Sequence, residues 1–246
     1  GVQTCALPIY ARGSGDLERG DLVLVRRGRG RASVERRLGS AQRIGDVLEG
    51  LLVEQGARVE FEPFDVPAPD VASRVDLRAL PTYTVDPEGA KDFDDALSFR
   101  REPDGIRAWV HIADVSFFVR PGSPVDLGAA ERAFSTYVPG AVAPMLPPAL
   151  SDDVCSLRPR QERLCVTVEI PPAGPALFYR SVISSDARLT YGQAERGDAP
   201  AAIVEQLALN AELAGELRAR RFGRGALAVQ TTRSEEHMSE LQSPYV

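Results

Sequence analysis

Short apolar runs separated by turn residues predict that the first part of this chain is built mainly of strands. Such runs occupy residues 20–25, 32–35, 47–53 and 57–63, and most are rich in valine, leucine or phenylalanine. Pro63, Pro67 and Pro69 then mark a linker, because proline interrupts regular structure. The pattern predicts a small β domain over residues 10–68.

A second set of predicted strands follows this linker. Residues 81–85 and 96–99 have the composition of short strands, with turns at residues 86–89 and 103–105. Residues 108–115 form an apolar run typical of a buried strand, and further strands are predicted near residues 164–170 and 176–184. Asp86 is therefore expected to end a strand.

Two helices interrupt this strand-rich pattern. Residues 200–221 have a proline at the start, leucines at helical spacing and arginines in the last turn, all of which favour one long helix. Residues 126–133 predict a short helix with Asp126 as its acidic cap. The predicted fold class is α+β, with a mixed sheet and helices after the β domain.

The densest concentration of charge lies between the predicted strands at residues 81–85 and 96–99. Asp86, Asp92, Asp94 and Asp95, together with Glu88, fall within ten residues around one phenylalanine. Like charges at this density repel unless a cation lies among them, and hard divalent cations prefer oxygen ligands. This loop is a candidate metal site. A solvated acidic loop and a weak calcium-binding turn are the alternatives, while an EF-hand fits poorly because the ligands do not alternate through a twelve-residue loop.

Six further motifs follow the acidic loop along the chain. Together the seven read Asp86-Pro-Glu-Gly-Ala-Lys-Asp-Phe-Asp-Asp-Ala, Val110-His-Ile-Ala-Asp-Val-Ser, Val119-Arg-Pro-Gly-Ser, Ala133-Phe-Ser-Thr-Tyr-Val-Pro-Gly, Pro144-Met-Leu-Pro, Leu150-Ser-Asp-Asp-Val-Cys-Ser-Leu and Ala187-Arg-Leu-Thr-Tyr. In residues and in order, these motifs resemble the RNase II/RNase R family, whose catalytic domain is called RNB. The resemblance implies the first half of an RNB domain over residues 69–232, and a partial β-barrel of the OB or cold-shock type over residues 10–68.

The resemblance also implies an activity. The family hydrolyses single-stranded RNA from the 3′ end and releases nucleoside 5′-monophosphates, with magnesium, or in its place manganese, at the carboxylates. Asp86, Asp92, Asp94 and Asp95 fall on the family's four acidic active-site positions. Metal ions assist phosphodiester hydrolysis by binding the attacking water and the leaving oxygen. Of the four, Asp94 is expected to be the most sensitive to substitution.

Two tyrosines match substrate-binding positions of the family. Tyr137 corresponds to an aromatic that stacks on bases at the 3′ end, a contact worth about 1–3 kcal/mol per base. Tyr191 corresponds to a position near the substrate ribose, where the 2′-hydroxyl distinguishes RNA from DNA. Ordinary packing is the alternative for both residues.

The other reactive side chains are expected to have no role in catalysis. Glu88 and Lys91 lie outside the matched acidic positions. His111 is expected to be a hydrogen-bonded core residue, and Cys155 and Cys165 to be buried thiols. Ser151 has no histidine base in the sequence nearby, which argues against nucleophilic catalysis.

The net charge of −6 first argues against a polyanionic ligand. Metal ions would offset the acidic loop, however, and a basic stretch of arginines at residues 26–37 is suited to phosphate contacts, with a solvated loop as the alternative. The chain has no apolar run long enough to span a membrane and no signal peptide. We therefore expect a cytoplasmic monomer.

Both ends of the chain resemble translated sequencing-adapter DNA. Residues 1–9 match one strand of a common adapter, and residues 233–241 match its reverse complement with one mismatch, at Met238. Residues 1–9 and 233–246 are therefore expected to be non-native and the chain to be a fragment. The resemblance places a phosphate-contacting arginine and a second stacking aromatic in the part that follows, so the fragment alone is expected to be inactive or nearly so.

Two rival functions remain open from the sequence. A non-catalytic, RNA-binding RNB protein would not need the four aspartates. A metal-dependent phosphohydrolase acting on small phosphoesters would not explain Tyr137 or the preceding β domain.

Overall fold

A computed structural model describes residues 11–12, 16–28, 31–138 and 140–227, and these residues divide into two units. The first, here called the groove unit, contains the described residues up to Asp65 together with Val119–Pro147. The second, the sheet unit, contains Val66–Phe118 and the described residues from Pro148 onward. The two ends expected to be adapter-derived, residues 1–9 and 233–246, lie outside the described residues.

The elements follow one another in chain order. They are β1 (Ala11–Arg12), β2 (Asp21–Gly28), β3 (Arg31–Ser40), α1 (Ile44–Glu54), β4 (Val75–Asp76), β5 (Tyr83–Asp86), β6 (Asp95–Glu102), β7 (Gly105–Ala113), α2 (Val115–Phe118), α3 (Pro124–Arg132), β8 (Thr136–Val138), β9 (Ala141–Ala143), a π-helical turn (Leu150–Val154), β10 (Glu162–Ile170), β11 (Leu177–Ser184), β12 (Ala187–Thr190), α4 (Tyr191–Arg196) and α5 (Ala201–Gly223). None of the described helices combines the length and apolar character needed to cross a bilayer.

The sheet unit is organised around a mixed seven-stranded sheet in the order β12-β5-β6-β7-β10-β11-β4. β12 runs parallel to β5 and β4 runs parallel to β11, while the inner neighbours are antiparallel. Helices α4 and α5 contribute Ala194, Ile203 and Leu207 to an apolar cluster that includes Tyr83 and Phe99. This packing fixes the strands that carry the acidic loop. The predicted α+β class with a mixed sheet is confirmed.

A row of buried polar side chains crosses the middle of this sheet. The Thr82 and Ser98 hydroxyls lie 2.7 Å apart, and Ser98 lies 3.0 Å from Nε2 of His111. Nδ1 of His111 lies 2.8 Å from the Thr167 hydroxyl, which in turn contacts the Ser181 hydroxyl at 2.6 Å. All five residues are fully buried. Each side chain in the row has a hydrogen-bond partner, so the row avoids the cost of burying unpaired polar groups. The same contacts fix the register of the strands.

Strands β5 and β6 pair only at Tyr83 and Leu97 and then separate. The backbone N–H of Phe99 donates instead to Oε1 of Gln206 on α5, at 2.6 Å. The sheet therefore opens between β5 and β6, and the residues that join these strands form the acidic loop.

The groove unit contains a three-stranded sheet in the order β1-β3-β2, the helix α1, and the hairpin β8–β9 that follows α3. β2 and β3 confirm two predicted strands and are consistent with a partial OB-type region. The predicted strand at residues 47–53 is wrong, because this segment lies in α1. Val47, Leu48, Leu51 and Leu52 repeat at helical spacing, and Leu52 is buried, so the helical period decides the structure.

The strand predicted at residues 57–63 is also absent. Arg132 occupies the place of a pairing strand, since its guanidinium donates to the carbonyl oxygens of Arg58 and Glu60 and covers the ring of Phe61 at 4.3 Å. The alternation of apolar and polar residues at 57–63 therefore reflects contacts with Arg132 and not pairing in a sheet.

The helix boundaries contain one further correction. The predicted acidic cap at Asp126 is wrong: α3 begins at Pro124, and the Ser123 hydroxyl accepts a hydrogen bond from the Asp126 N–H. Serine at the N-cap and proline at the first helical position are both favoured. The long helix is confirmed as α5, with Arg220 and Arg221 in its last turn.

Candidate active site

Asp86 stands at the end of a strand, as the sequence predicts. It is the last residue of β5 and pairs in register with Thr190, the last residue of β12. Because these two strands run parallel, both end at the same edge of the sheet. Tyr191 follows Thr190 directly as the first residue of α4. The structure therefore brings the predicted site residues Asp86 and Tyr191 to one sheet edge, where ligand sites of open sheets commonly lie.

Asp92, Asp94 and Asp95 are held by contacts with a distant segment. The Ser156 hydroxyl donates to the Lys91 carbonyl oxygen at 2.7 Å and accepts from the Phe93 N–H at 3.1 Å. The Leu157 N–H donates to the Phe93 carbonyl at 2.8 Å. Ser156 is fully buried, so it clamps the backbone on both sides of Asp92.

The other end of the acidic loop is fixed by β7. The Ala113 N–H donates to the Asp94 carbonyl at 2.9 Å, and Asp95 begins β6 in register with Ile112. Extending the single pairing between β5 and β6 by three residues would place Asp86 across from Asp94. The loop therefore returns its aspartates toward the end of β5.

The environment of these carboxylates disfavours their charged forms. Burial, aided by the nearby charges of Asp95 and Asp92, raises the pKa of Asp86 to about 6, although the Thr84 hydroxyl and Arg188 oppose the rise. Partial loss of hydration also raises the pKa of Asp94, with Asp92 and Asp95 adding to the effect, and raises the pKa of Asp95. Carboxylates whose pKa is raised by burial, with repulsion from neighbouring carboxylates as a smaller contribution, are common at functional sites.

The donor set fits a hard cation, although no metal-binding geometry is assembled. Oδ2 of Asp86 is buried and has no hydrogen-bond partner among the described residues, so a cation would satisfy it. Within the described part of the chain, no three His, Cys, Asp or Glu side chains converge closely enough to hold a metal ion. The backbone places the four aspartates in one loop, and their assignment as metal ligands stays a prediction.

Tyr137 lies in the groove unit, and the structure does not bring it together with the aspartates in one unit. It is 64% exposed on β8 and lines a groove of about 580 Å³ with Phe134, Arg58 and Arg132. Phe134 is 68% exposed. It follows a γ-turn in which Ala133 has φ 66° and ψ −37° and the Phe134 N–H donates to the Arg132 carbonyl. Phe134 has no predicted role, although it shares a quoted motif with Tyr137.

The structure confirms the expectations for His111, Cys155 and Cys165, whereas the roles of Ser151, Glu88 and Lys91 stay predictions. His111 is buried with both ring nitrogens hydrogen-bonded, and burial lowers its pKa to about 4. Cys155 and Cys165 are buried free thiols. The Ser151 hydroxyl donates to Asp152. Glu88 and Lys91 are exposed.

The basic stretch is partly used within the groove unit. Arg26 pairs with Glu35, Arg36 with Glu60 at 2.5 Å and Arg37 with Asp21 at 2.7 Å. Arg29 lies outside the described residues. These ion pairs favour the alternative reading of a solvated surface over a dedicated phosphate site.

Comparison with known proteins decides the family. A model of the RNB domain matches residues 74–245, which include the whole acidic loop. The chain belongs to the RNB domain family.

Among curated relatives of this RNB chain, Ribonuclease R of Escherichia coli is 47% identical over 133 residues, which cover 52% of this chain and 16% of the relative. The chain thus spans less than a fifth of that protein. A solved structure of Mycoplasma genitalium RNase R in complex with ribose methylated single-stranded RNA matches with a TM-score of 0.71 at 28% identity, covering 82% of this chain and 35% of that chain.

A third match separates fold from activity. The structure of yeast Ssd1, a pseudonuclease, matches with a TM-score of 0.61 at 18% identity, covering 86% of this chain and 30% of that chain. At this identity the likeness concerns the fold alone. Because a pseudonuclease shares the RNB fold, an argument for catalysis in this chain has to come from its own carboxylates.

Proposed function

We propose that this RNB chain carries the catalytic carboxylates of a 3′-to-5′ exoribonuclease that hydrolyses single-stranded RNA to nucleoside 5′-monophosphates. The observation that carries the proposal is the acidic loop: Asp86, Asp92, Asp94 and Asp95 are retained, and the loop is held between β5 and β6 by Ser156, Leu157 and Ala113. A solvated acidic turn would need none of these contacts.

The carboxylates would hold magnesium, with manganese as a substitute. When bound, the metal supplies positive charge to the water that attacks phosphorus and to the leaving 3′-oxygen. In the reaction, a bond forms between the water oxygen and phosphorus while the bond from phosphorus to O3′ breaks. The products are a 5′-monophosphate and an RNA shortened by one nucleotide.

The remaining residues act on the substrate. We assign Tyr137 to base stacking and Tyr191 to the ribose at the site edge. The position of Tyr191 next to Thr190, opposite Asp86, supports its assignment, and the exposure of Tyr137 supports stacking. The RNA bound by the Mycoplasma relative supports single-stranded RNA as the substrate. We also propose that the protein is a cytoplasmic monomer.

The test is a chimera in which this chain replaces the matching segment of Escherichia coli Ribonuclease R. Single-stranded RNA labelled at the 3′ end should lose its label at once as a mononucleotide, and RNA labelled at the 5′ end should shorten stepwise, only with magnesium present. Asp94→Asn should abolish both. Asp104→Asn is the matched control, since Asp104 is exposed in the turn between β6 and β7.

Two results would contradict the proposal. Internal cleavage of the RNA would indicate an endonuclease, and activity unaffected by Asp94→Asn would show that the acidic loop is not the catalytic centre. RNA binding without any hydrolysis would instead favour a non-catalytic RNB protein.

A further inference from the structure

Arg188 reaches from β12 onto the first limb of the acidic loop. It pairs in register with Thr84, two residues before Asp86. Its guanidinium donates to the carbonyl oxygens of Pro87 and Glu88, the latter at 2.9 Å. One side chain therefore holds the backbone that immediately follows Asp86.

The same guanidinium also contacts the second limb of the loop. Its central carbon lies 5.5 Å from the centroid of the Phe93 ring, within the range of a cation–π contact. Phe93 stands between Asp92 and Asp94, and its backbone is held by Ser156 and Leu157. Arg188 thus joins the limb after Asp86 to the limb that carries the other three aspartates.

Arginine suits this position better than lysine does. The planar guanidinium can donate to two carbonyls while its face lies against an aromatic ring, whereas an ammonium group is a compact, strongly hydrated point charge. The Nε atom of Arg188 is buried without a hydrogen-bond partner among the described residues, which carries a desolvation penalty. Packing alone does not account for a partly buried arginine that leaves its buried Nε donor unused.

We propose that Arg188 is a positioning residue that closes the acidic loop and thereby sets the separation between Asp86 and the group Asp92–Asp95. This inference rests on the proposed function, because the separation matters only if the carboxylates share a cation. Residues that orient metal ligands in this way commonly contribute a factor of about 10–100 to metal affinity.

The test measures manganese binding to the intact 246-residue chain by calorimetry, with no RNA present. Arg188→Ala should weaken manganese binding about 10–100-fold. Arg188→Lys should weaken manganese binding less than Arg188→Ala does. Lysine retains the positive charge but lacks the planar group that donates to two carbonyl oxygens. The matched control is Arg101→Ala. Arg101 lies on β6 away from the acidic loop and donates two hydrogen bonds to Glu212.

Thermal unfolding of each variant separates positioning from general stability. A purely structural role predicts that Arg188→Ala lowers the melting temperature and leaves the manganese affinity of the folded chain unchanged, and that result would overturn the inference. Full affinity in Arg188→Lys would also overturn it, because charge alone would then suffice. If Arg188→Ala does not fold, the manganese affinity of Arg188→Lys decides: weaker binding than wild type supports the inference, and equal binding overturns it.

The wild-type titration distinguishes the inference from the proposed function. If the folded wild-type chain binds no manganese, the proposed metal site fails and the inference fails with it. If the wild type binds manganese and Arg188→Ala binds it equally well, only the role of Arg188 is rejected.

Discussion

The sheet unit and the groove unit hold their functional candidates in different ways. In the sheet unit, Asp86 ends a strand next to a buried polar row, and the acidic loop is tied down by Ser156 and Ala113. In the groove unit, Phe134 and Tyr137 are more than half exposed, Phe134 in the turn after α3 and Tyr137 on the short strand β8. Hydrolysis needs carboxylates at fixed separations, whereas base stacking tolerates a range of positions and sequences. The proposed function assigns hydrolysis to the sheet unit and base stacking to the groove unit, and this difference agrees with that division.

The largest expected effect tests this division directly. In the chimera described above, Asp94→Asn should reduce kcat by on the order of 10²–10³ or more, because charge stabilisation in the transition state is lost. Tyr137→Ala should leave kcat nearly unchanged and weaken RNA binding by about 1–3 kcal/mol, seen as a higher KM.

Phe178→Ala is the matched control for the aromatic substitution. Phe178 is 71% exposed but belongs to the sheet unit. It should change neither kcat nor KM. If Tyr137→Ala changes only thermal stability, then Tyr137 is a packing residue and the groove unit has lost its proposed role.

The next largest effect concerns the buried charges of the sheet unit. Arg74 and Asp114 form an ion pair at 2.6 Å with both side chains almost fully buried, and Arg74 also donates to the Cys165 carbonyl. Arg74→Met leaves the buried Asp114 carboxylate with only the Ser116 hydroxyl and the more distant Arg180, at 3.9 Å, and should lower the free energy of unfolding by about 3–5 kcal/mol. Urea denaturation followed by Trp109 fluorescence measures this, since Trp109 is the only tryptophan and is buried in the sheet unit.

The corresponding pair in the groove unit is Arg58 with Glu131, and both side chains are more than half exposed. Arg58→Met should change the free energy of unfolding by less than about 1 kcal/mol, because water screens exposed pairs. Far-UV circular dichroism during the same denaturation measures this change, since it reports the secondary structure of both units together. Equal losses of unfolding free energy in Arg74→Met and Arg58→Met would contradict the contrast between the buried charges of the sheet unit and the exposed charges of the groove unit.

The sequence predicts the sheet unit better than the groove unit for a physical reason. The end of β5, the strands β6 and β7 and the helix α5 depend on local patterns, namely turn residues after Asp86, apolar runs and leucines at helical spacing. In the groove unit, α1 and the segment at residues 57–63 were predicted as strands, because short apolar runs fit both periods and because Arg132 replaces a strand partner.

The candidate site shows the same limit. The four aspartates were found from their density and motif, which are visible in the chain. Ser156 and Arg188 were not assigned roles, because their contacts span 65 and about 100 residues and depend on strand register. Ser156 and Arg188 both stand in motifs quoted from the sequence. The polar residues of those motifs that had no assigned role were therefore the signal that could have pointed to them.

A third prediction concerns the stability that the acidic loop costs the sheet unit. The folded state raises the pKa of Asp86 from 3.8 to about 6, so the folded protein binds more protons than the unfolded chain between these values. Stability from this group therefore falls as the pH rises through this window. In EDTA at pH 7, Asp86→Asn should raise the free energy of unfolding by about 2–3 kcal/mol. Unchanged stability, measured by urea denaturation, would mean that Asp86 does not carry this cost.

The fourth prediction has the opposite sign and comes from the polar row. Burial lowers the pKa of His111 to about 4 from 6.5, so the unfolded chain takes up a proton first as the pH falls. The stabilisation is complete above pH 6.5 and is lost as the pH falls toward 4, by roughly 2 kcal/mol between pH 7 and pH 5.

His111→Asn keeps a polar side chain in the row but cannot take up this proton. It should be less stable than wild type at pH 7, because one ring nitrogen contact is lost, and its stability should change less between pH 7 and pH 5. Combining it with Asp86→Asn should remove both opposing contributions. If the pH dependence of the single variant equals that of wild type, then His111 does not remain neutral in the folded sheet, and the row is not the closed hydrogen-bonded network that distinguishes this unit.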